Sequence, residues 1–170
     1  EQIMNSLKVL SGSNIFPRYS FMVGLENESM QQIKNTYRFC LTMTDINSTV
    51  DIAGPFIFRL YPGSPIFNRL SERYNLKIPD SLEDWVEDLK KEVSYIEMPW
   101  TPLRFRKNLK SLAFYSSYAL ATYADNKGLG RLSYLLLRKI GRLRLKYFFF
   151  KFPFEYWGYS TLTKIRQYKK

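Results

Sequence analysis

Two stretches decide the fold of this chain: RYSFMVGLENES at residues 18–29 and GPFIFRLYPGSPIF at residues 54–67. Each begins with apolar residues typical of a β-strand, continues through a turn that contains glycine, and ends at the start of a helix. A helix is also predicted between them, because Ser29 opens a capping-box pattern. This crossover is long enough to join two parallel strands, predicted at residues 18–25 and 54–60, in the right-handed sense.

Two helices are predicted from a serine or threonine followed by proline, which combines an N-cap with the residue favoured at the first helical position. Ser64-Pro65 predicts a helix that ends near Tyr74. Thr101-Pro102 predicts a helix of about five turns. The residues expected on the inward face of this second helix are Phe105, Leu109, Leu112, Ser116, Leu120 and Tyr123.

A last helix is predicted from Arg131 to about Phe150, antiparallel to the helix before it. The residues expected to pack against that helix are Leu132, Leu136, Ile140, Leu143 and Tyr147. Residues 152–170 are interrupted by Pro153 and are expected to pack as an aromatic tail. The fold class is therefore α/β and helix-rich, with about two parallel strands followed by a helical subdomain.

The charge of the chain is divided unevenly along its length. Residues 1–100 contain 10 Lys/Arg and 13 Asp/Glu, whereas residues 101–170 contain 16 and 2. The change falls at Met98-Pro99, and we therefore predict one domain over residues 1–98 and a basic, aromatic helical subdomain over residues 99–170.

Residue types exclude several kinds of chemistry. The sequence contains one cysteine, Cys40, and no histidine, so this chain cannot assemble a Cys/His metal site or a histidine acid/base pair. No apolar run approaches the roughly 20 residues that cross a bilayer. Glu1 lies within an apparent helix that has no N-cap before it. We therefore expect residue 1 to lie inside a longer polypeptide.

The carboxyl ends of the two predicted strands are the candidate binding region, because ligands collect at that edge of a parallel sheet. Gly24 and Gly63 lie there, and glycine permits a positive φ or the close approach of a ligand to the backbone. The residues alone are equally compatible with two turn glycines that bind nothing.

The two stretches resemble the fifth- and sixth-strand motifs of cobalamin-binding radical SAM enzymes, the subfamily of the anaerobic magnesium-protoporphyrin IX monomethyl ester oxidative cyclases. Residues 21–29, FMVGLENES, are similar to the family pattern FMIGLPGET, with Glu26 and Asn27 in place of proline and glycine. Residues 59–67, RLYPGSPIF, are similar to RPYPGTPLY, which is the more specific match. The resemblance covers nearly the whole chain and implies a fragment of a partial TIM-type barrel.

The resemblance also implies a cofactor, S-adenosylmethionine (SAM), and residues that contact it. The positions that match the family motifs are Phe21, Met22, Gly24, Glu28, Leu60, Tyr61 and Pro62. Each of them could equally serve core packing or turn formation. Arg59 either reaches an anionic group of a substrate or forms an exposed salt bridge.

Radical SAM chemistry requires a four-iron, four-sulfur (4Fe-4S) cluster held by three closely spaced cysteines, and the resemblance leaves open whether the full-length enzyme binds cobalamin as well. Cys40 lies among Tyr37, Phe39 and Leu41, where packing is the expected role. The resemblance therefore implies that the cluster ligands lie upstream of residue 1. It predicts that this chain is inactive alone, that its partners are the N-terminal half of the same polypeptide and a small-molecule substrate, and that it is cytoplasmic.

The basic C-terminal region allows three interpretations. Its rings cover the missing part of the barrel, or the region lies on the inner face of an anionic membrane, or it stacks on nucleic acid, the least favoured of the three. The membrane interpretation places Arg138, Arg142 and Arg144 toward lipid. If the region binds a membrane or nucleic acid, the alternative function of the chain is that of a non-catalytic binding module. Exposed strand edges also predict a dimer of the fragment.

Overall fold

The computed structural model describes residues 1–79, 81–90, 98–121 and 129–168. In chain order, the helices and strands are α1 (Gln2–Leu10), β1 (Arg18–Val23), α2 (Met30–Ile46), β2 (Asp51–Ile57), α3 (Pro65–Tyr74), α4 (Leu82–Lys90), α5 (Leu103–Ala119), α6 (Leu129–Tyr147) and α7 (Phe154–Tyr168).

The predicted strand–helix–strand unit is confirmed. Strands β1 and β2 pair in parallel, from Arg18 opposite Asp51 to Val23 opposite Ile57. Helix α2 connects them and begins with a capping box, in which the Ser29 hydroxyl accepts from the Gln32 amide. The two reciprocal hydrogen bonds satisfy amides that the first helical turn leaves without partners.

Strand β2 begins and ends three residues earlier than the strand predicted at residues 54–60. The sequence pattern placed Gly54-Pro55 at the start of the strand, but these residues lie inside it, where the register shifts opposite Phe21. Pairing extends before Gly54, where Ile52 is buried and lies opposite Tyr19. Glycine and proline here form a bulge, as is common for these residues within a strand.

The main core includes residues from both sides of the predicted boundary at residue 98. It joins the inner faces of the sheet and α2 to the hairpin of α5 and α6, and its largest fully buried side chains are Leu7, Val23, Ile33, Met43, Phe105, Leu112, Tyr115 and Leu145. A smaller cluster surrounds α3 and contains Phe58, Leu60, Phe67, Leu70 and Met98. The two-domain division stays a prediction.

Helices α5 and α6 form the predicted antiparallel hairpin. Tyr118 lies beside Tyr134, and Tyr115 lies beside Arg144 near the opposite end of α6. The two helices pack closely at Gly141, where a Cβ atom would lie 2.8 Å from the Tyr115 carbonyl oxygen. Glycine at this position therefore sets the distance between the helices. Tyr123 of the predicted inward face lies outside the described residues.

The predicted inward face of α6 is wrong except at Ile140. Leu132, Leu136, Leu143 and Tyr147 are between 57% and 67% exposed. The buried face instead contains Gly141 and Leu145, with Leu137 and Ile140 partly buried. Because α6 carries leucines around most of its circumference, periodicity alone did not identify the side that Gly141 brings against α5.

Two other helix boundaries differ from the prediction. Helix α5 begins at Leu103, its N-cap is Pro102, and no side chain caps it, whereas Thr101 is buried. Residues 154–168, expected only as an aromatic tail, form helix α7, because Pro153 lies before the first turn, where proline does not interrupt helical hydrogen bonds.

Two arginines of α6 hold the helices together. Arg142 forms an ion pair with Asp45 and donates to the Thr44 hydroxyl of α2 at 2.9 Å. Arg144 donates to Glu155 of α7 at 2.7 Å, to the Phe152 carbonyl at 2.9 Å, and lies over the Tyr115 ring. These guanidinium groups therefore serve the interior, whereas the membrane interpretation, one of the three for this region, placed them toward lipid.

We predict that Gly54→Ala destabilises the protein more than Gly12→Ala. Both glycines have a positive φ, 97° and 87° respectively, but a Cβ atom at Gly54 would also lie 2.5 Å from the Phe56 nitrogen and 2.8 Å from the Phe21 oxygen. Nothing lies within 4 Å at Gly12. Urea denaturation should give a loss of about 1–2 kcal/mol for Gly12→Ala from backbone strain alone and a larger loss for Gly54→Ala. Equal losses would contradict the predicted collision.

We also predict an acid-dependent contribution from Glu155. Burial raises the pKa of this carboxyl, but hydrogen bonds from Tyr115, a backbone amide and Arg144 outweigh burial, and the net pKa is lowered. A carboxyl group whose pKa is lowered in the folded state stabilises the protein at pH values above its unfolded-state pKa of about 4.3. This stabilisation is lost as the pH falls through the pKa of the folded state.

Glu155→Gln should therefore cost about 1–3 kcal/mol at neutral pH, measured by urea denaturation, and progressively less below about pH 4. Glu72→Gln, at an exposed position on α3, provides the control and should change little at either pH. A pH-independent difference between Glu155→Gln and the unmodified protein would refute this assignment.

Candidate ligand cleft at the strand ends

A cleft of about 1020 Å³ lies between β2 and α5. On the sheet side, Met22 and Phe56 are neighbours across the two strands and are 51% and 55% exposed. Leu109, Leu112 and Ser116 of α5 line the other side. The volume and the mainly apolar lining are typical of small-molecule sites in proteins.

The turn after β1 is held by its own side chains. Gly24 has a φ of 83°, and the Glu28 carboxylate accepts from the backbone amides of Gly24 and Leu25. The Gly24 carbonyl accepts from the indole N–H of Trp100 at 3.0 Å. Both backbone polar groups of Gly24 are therefore hydrogen-bonded within the protein, and the Glu28 carboxylate stabilises the turn.

Two residues that depart from the family motif have defined roles in this turn. Asn27 takes the place of a family glycine and has a φ of 65°, a conformation that asparagine tolerates better than most residues. The side chain of Glu26 is 5% exposed and forms ion pairs with Arg69 at 3.2 Å and Arg73 at 2.6 Å. The turn after β1 is thereby attached to α3, the helix that follows β2.

The turn after β2 presents one ring to the cleft. Tyr61 is 62% exposed and lines the cleft, whereas Leu60 is buried in the cluster around α3. Ser64 accepts from the Phe67 amide at 3.2 Å and so caps α3 as predicted. Gly63 has a φ of 88°, and no atom lies within 4 Å of where its Cβ would be. The backbone is therefore open to approach at Gly63.

Arg59 also lines the cleft and is partly buried. Among the described residues it has no ion-pair or hydrogen-bond partner, so the predicted alternative of a salt bridge is not formed there. Asp51 lines the same cleft but pairs with Arg18 at 2.9 Å. Arg59 is thus a cation at a mainly apolar surface.

The structure brings some of the predicted site residues to the cleft and places others elsewhere. Met22 and Tyr61 line it. Phe21 points to the other face of the sheet and packs edge-on against Phe39 of α2 with ring centroids 5.9 Å apart. Pro62 is exposed outside the cleft lining.

The sequence analysis missed the part of the cleft that comes from α5, and it missed Phe56 and Trp100. Phe56 carried a signal, since it is two residues from Phe58 in an alternating strand, and such alternation places both on one face. No local signal indicated that α5, more than forty residues further on, would face β2. That contact depends on tertiary packing.

The only cysteine is a packing residue. Cys40 is fully buried, and burial raises its pKa to about 12, although a backbone hydrogen bond acts in the opposite direction. A thiol in this environment is a poor metal ligand. Within the described part of the chain, no group of three or more His, Cys, Asp or Glu residues could hold a metal ion. The residues present therefore do not fit a 4Fe-4S cluster.

We predict that Glu28→Ala destabilises the protein whether or not a ligand is present. The substitution leaves the amides of Gly24 and Leu25 without their acceptor, which should cost about 1–3 kcal/mol in urea denaturation. Glu72→Ala, an exposed position near the end of α3, provides the matched control and should stay within about 0.5 kcal/mol. Unchanged stability of Glu28→Ala would show that the turn does not depend on this carboxylate.

No described helix is both long and apolar enough to cross a membrane.

Comparisons of the chain with protein-family models, with curated proteins and with solved structures find no match.

Proposed function

We propose that this chain is the C-terminal part of a radical SAM iron–sulfur oxidoreductase of the cobalamin-binding type, similar to the magnesium-protoporphyrin IX monomethyl ester cyclases. In this proposal it forms part of the wall that binds SAM and is inactive alone. One observation carries the proposal: the strands of the two family-like motifs are parallel neighbours, and Met22 of the first motif lines the same cleft as Arg59 and Tyr61 of the second. Ligands of α/β proteins bind at the carboxyl ends of such strands.

The exposed side of the sheet supports the barrel part of the proposal. Met22 and Phe56 are half exposed on the sheet face opposite α2, and a two-stranded sheet rarely leaves such residues exposed without a further partner. Within the described residues, β1 and β2 also pair only with each other, so each strand has a free edge. Further strands from the proposed N-terminal half would pair with these edges and complete the partial TIM-type barrel. A second copy of the fragment is the alternative partner of the edges.

The cleft residues offer two kinds of contact, one to SAM and one to the substrate. Met22, Phe56 and Tyr61 offer apolar and aromatic surface, which suits the adenine of SAM. Arg59 offers a guanidinium group without a partner in the described part of the chain, which suits a carboxylate or phosphate on the substrate. Bound and reduced SAM supplies a 5′-deoxyadenosyl radical in this family. The cluster that reduces it needs cysteines that this sequence does not contain.

The coding sequence upstream of Glu1 provides the first test. We expect the reading frame to continue upstream and to encode a Cys-x-x-x-Cys-x-x-Cys run preceded by a cobalamin-type domain, because the thiolates of the cluster must come from there. A reading frame without the cysteine run would overturn the proposal.

Protein expressed anaerobically from the whole reading frame provides the second test. It should cleave SAM to 5′-deoxyadenosine, and Tyr61→Ala should raise the KM for SAM several-fold because the ring lines the cleft. Tyr147→Ala, at a comparably exposed ring on α6, is the control. An unchanged KM for SAM in Tyr61→Ala would show that this residue is not part of the SAM site. The 170-residue chain by itself is expected to be inactive, and SAM cleavage by it after iron and sulfide reconstitution would contradict that expectation.

A further inference from the structure

Helix α6 presents an apolar stripe that no described residue covers. The stripe consists of Leu132, Leu136, Leu143 and Tyr147, which are 65%, 60%, 57% and 67% exposed. Their spacings of four, seven and four residues place them on one side of a helix. Leu135, which borders the stripe, is 41% exposed. This is the face that the sequence analysis expected to pack against α5.

The charges beside the stripe are mostly positive, and Asp45 of α2, which borders Leu143 and Tyr147, is paired with Arg142. Arg131 and Lys139 are exposed, have no ion-pair partner in the described part of the chain, and lie at the start and in the middle of the stripe. Lys146 is exposed near its end. Arg142 and Arg144 belong to the interior instead, because they are bonded to α2 and α7. In the part of the chain that the structure describes, the exposed cations of this surface are therefore Arg131, Lys139 and Lys146, whereas Arg138 is partly buried.

Acidic groups are almost absent from the same region. Among the described residues from 98 to 168, Glu155 is the one carboxylate. It is bonded to Arg144 and to the Tyr115 hydroxyl at 2.7 Å each. The surface beside the stripe thus carries positive charge with no described acidic residue free to compensate it, which favours an anionic partner.

The chain continues past the stripe with exposed aromatic rings. Phe149, Phe152, Phe154 and Trp157 are between 47% and 64% exposed. Phe152 and Phe154 stack with their ring planes 10° apart. Aromatic residues beside basic and aliphatic ones are typical of helices that lie at a membrane–water interface.

We infer that the stripe on α6 binds an anionic lipid bilayer, with α6 lying in the interface. The leucine side chains would enter the acyl boundary while Arg131, Lys139 and Lys146 reach the anionic headgroups. Leucines dominate the stripe, whereas a surface that stacks on single-stranded nucleic acid requires rings along its length. This inference does not depend on the proposed radical SAM function, because no cleft residue belongs to the stripe.

Co-sedimentation with vesicles tests the inference. The 170-residue chain should bind vesicles of phosphatidylcholine and phosphatidylserine at low salt and bind much less to phosphatidylcholine alone. Arg131→Glu combined with Lys139→Glu should lower the partition coefficient at least about tenfold, since each cation near an anionic surface contributes substantially to binding. Lys8→Glu combined with Lys77→Glu makes the same change in net charge at exposed positions elsewhere and should have a much smaller effect.

The apolar contribution is tested separately. Leu132→Gln combined with Leu136→Gln should also reduce binding strongly, whereas Val9→Gln combined with Leu103→Gln, at residues that are 80% and 64% exposed, should not. All replaced side chains are exposed, so circular dichroism and urea denaturation should show that the variants remain folded.

A fluorophore on the stripe reports the contact directly. Leu136→Cys can be labelled selectively with an environment-sensitive dye, because Cys40 is fully buried. Anionic vesicles should shift the emission to the blue, and brominated lipids should quench it. Failure to bind anionic vesicles at low salt, or binding that the stripe variants leave unchanged, would overturn the inference. A blue shift in the absence of lipid, together with a dimer detected by light scattering, would also overturn the inference. The stripe would then be covered by a second copy of the chain.

Discussion

Helix α2 lies between the sheet and the C-terminal helices, and it contacts both. On the sheet side, Phe39 packs against Phe21 of β1. On the other side, Tyr37 packs against Phe148, and Arg38 donates to the Lys146 carbonyl at 3.0 Å. Two strands alone bury too little apolar surface to be stable. The sheet therefore depends on α2, and α2 depends on the hairpin that covers its other side.

This dependence determines where the candidate ligand cleft forms. Helix α5 reaches the sheet through Phe105, which lies close to Gly24, and Trp100 binds the Gly24 carbonyl just before α5 begins. The turn after β1 is consequently held by a residue from the far half of the chain. The cleft between β2 and α5 combines the two halves of the sequence, although their charges differ in sign.

The two proposals use different surfaces of this arrangement. The cleft lies along β2 and the turn after it and uses Met22, Tyr61 and Arg59. The stripe for which we propose lipid binding lies on the exposed side of α6. Because Gly141 turns one side of α6 inward, the other leucines are left exposed together with Arg131 and Lys139. Burial of one face of α6 thus creates the surface that we assign to the membrane.

Local chemistry made much of the fold predictable. The capping box at Ser29 and the Ser64-Pro65 start of α3 formed as predicted, since each is a hydrogen-bond arrangement within a few residues. The parallel pair followed from the length of the crossover. In the candidate site, the family resemblance selected Met22 and Tyr61, which line the cleft, but it also selected Phe21 and Leu60, which pack away from the cleft.

The sequence by itself determined the strand–helix–strand unit, the hairpin of α5 and α6, the helix starts at Ser29 and Ser64 and the position of the strand-end turns. Only the tertiary structure decided which side of α6 is buried, that Arg142 and Arg144 serve the interior, and that α5 lines the cleft. The physical reason is distance along the chain. Caps and turns are formed by neighbours in sequence, whereas Gly141 against Tyr115, Arg142 against Asp45 and Trp100 against Gly24 join residues that meet only when the core packs.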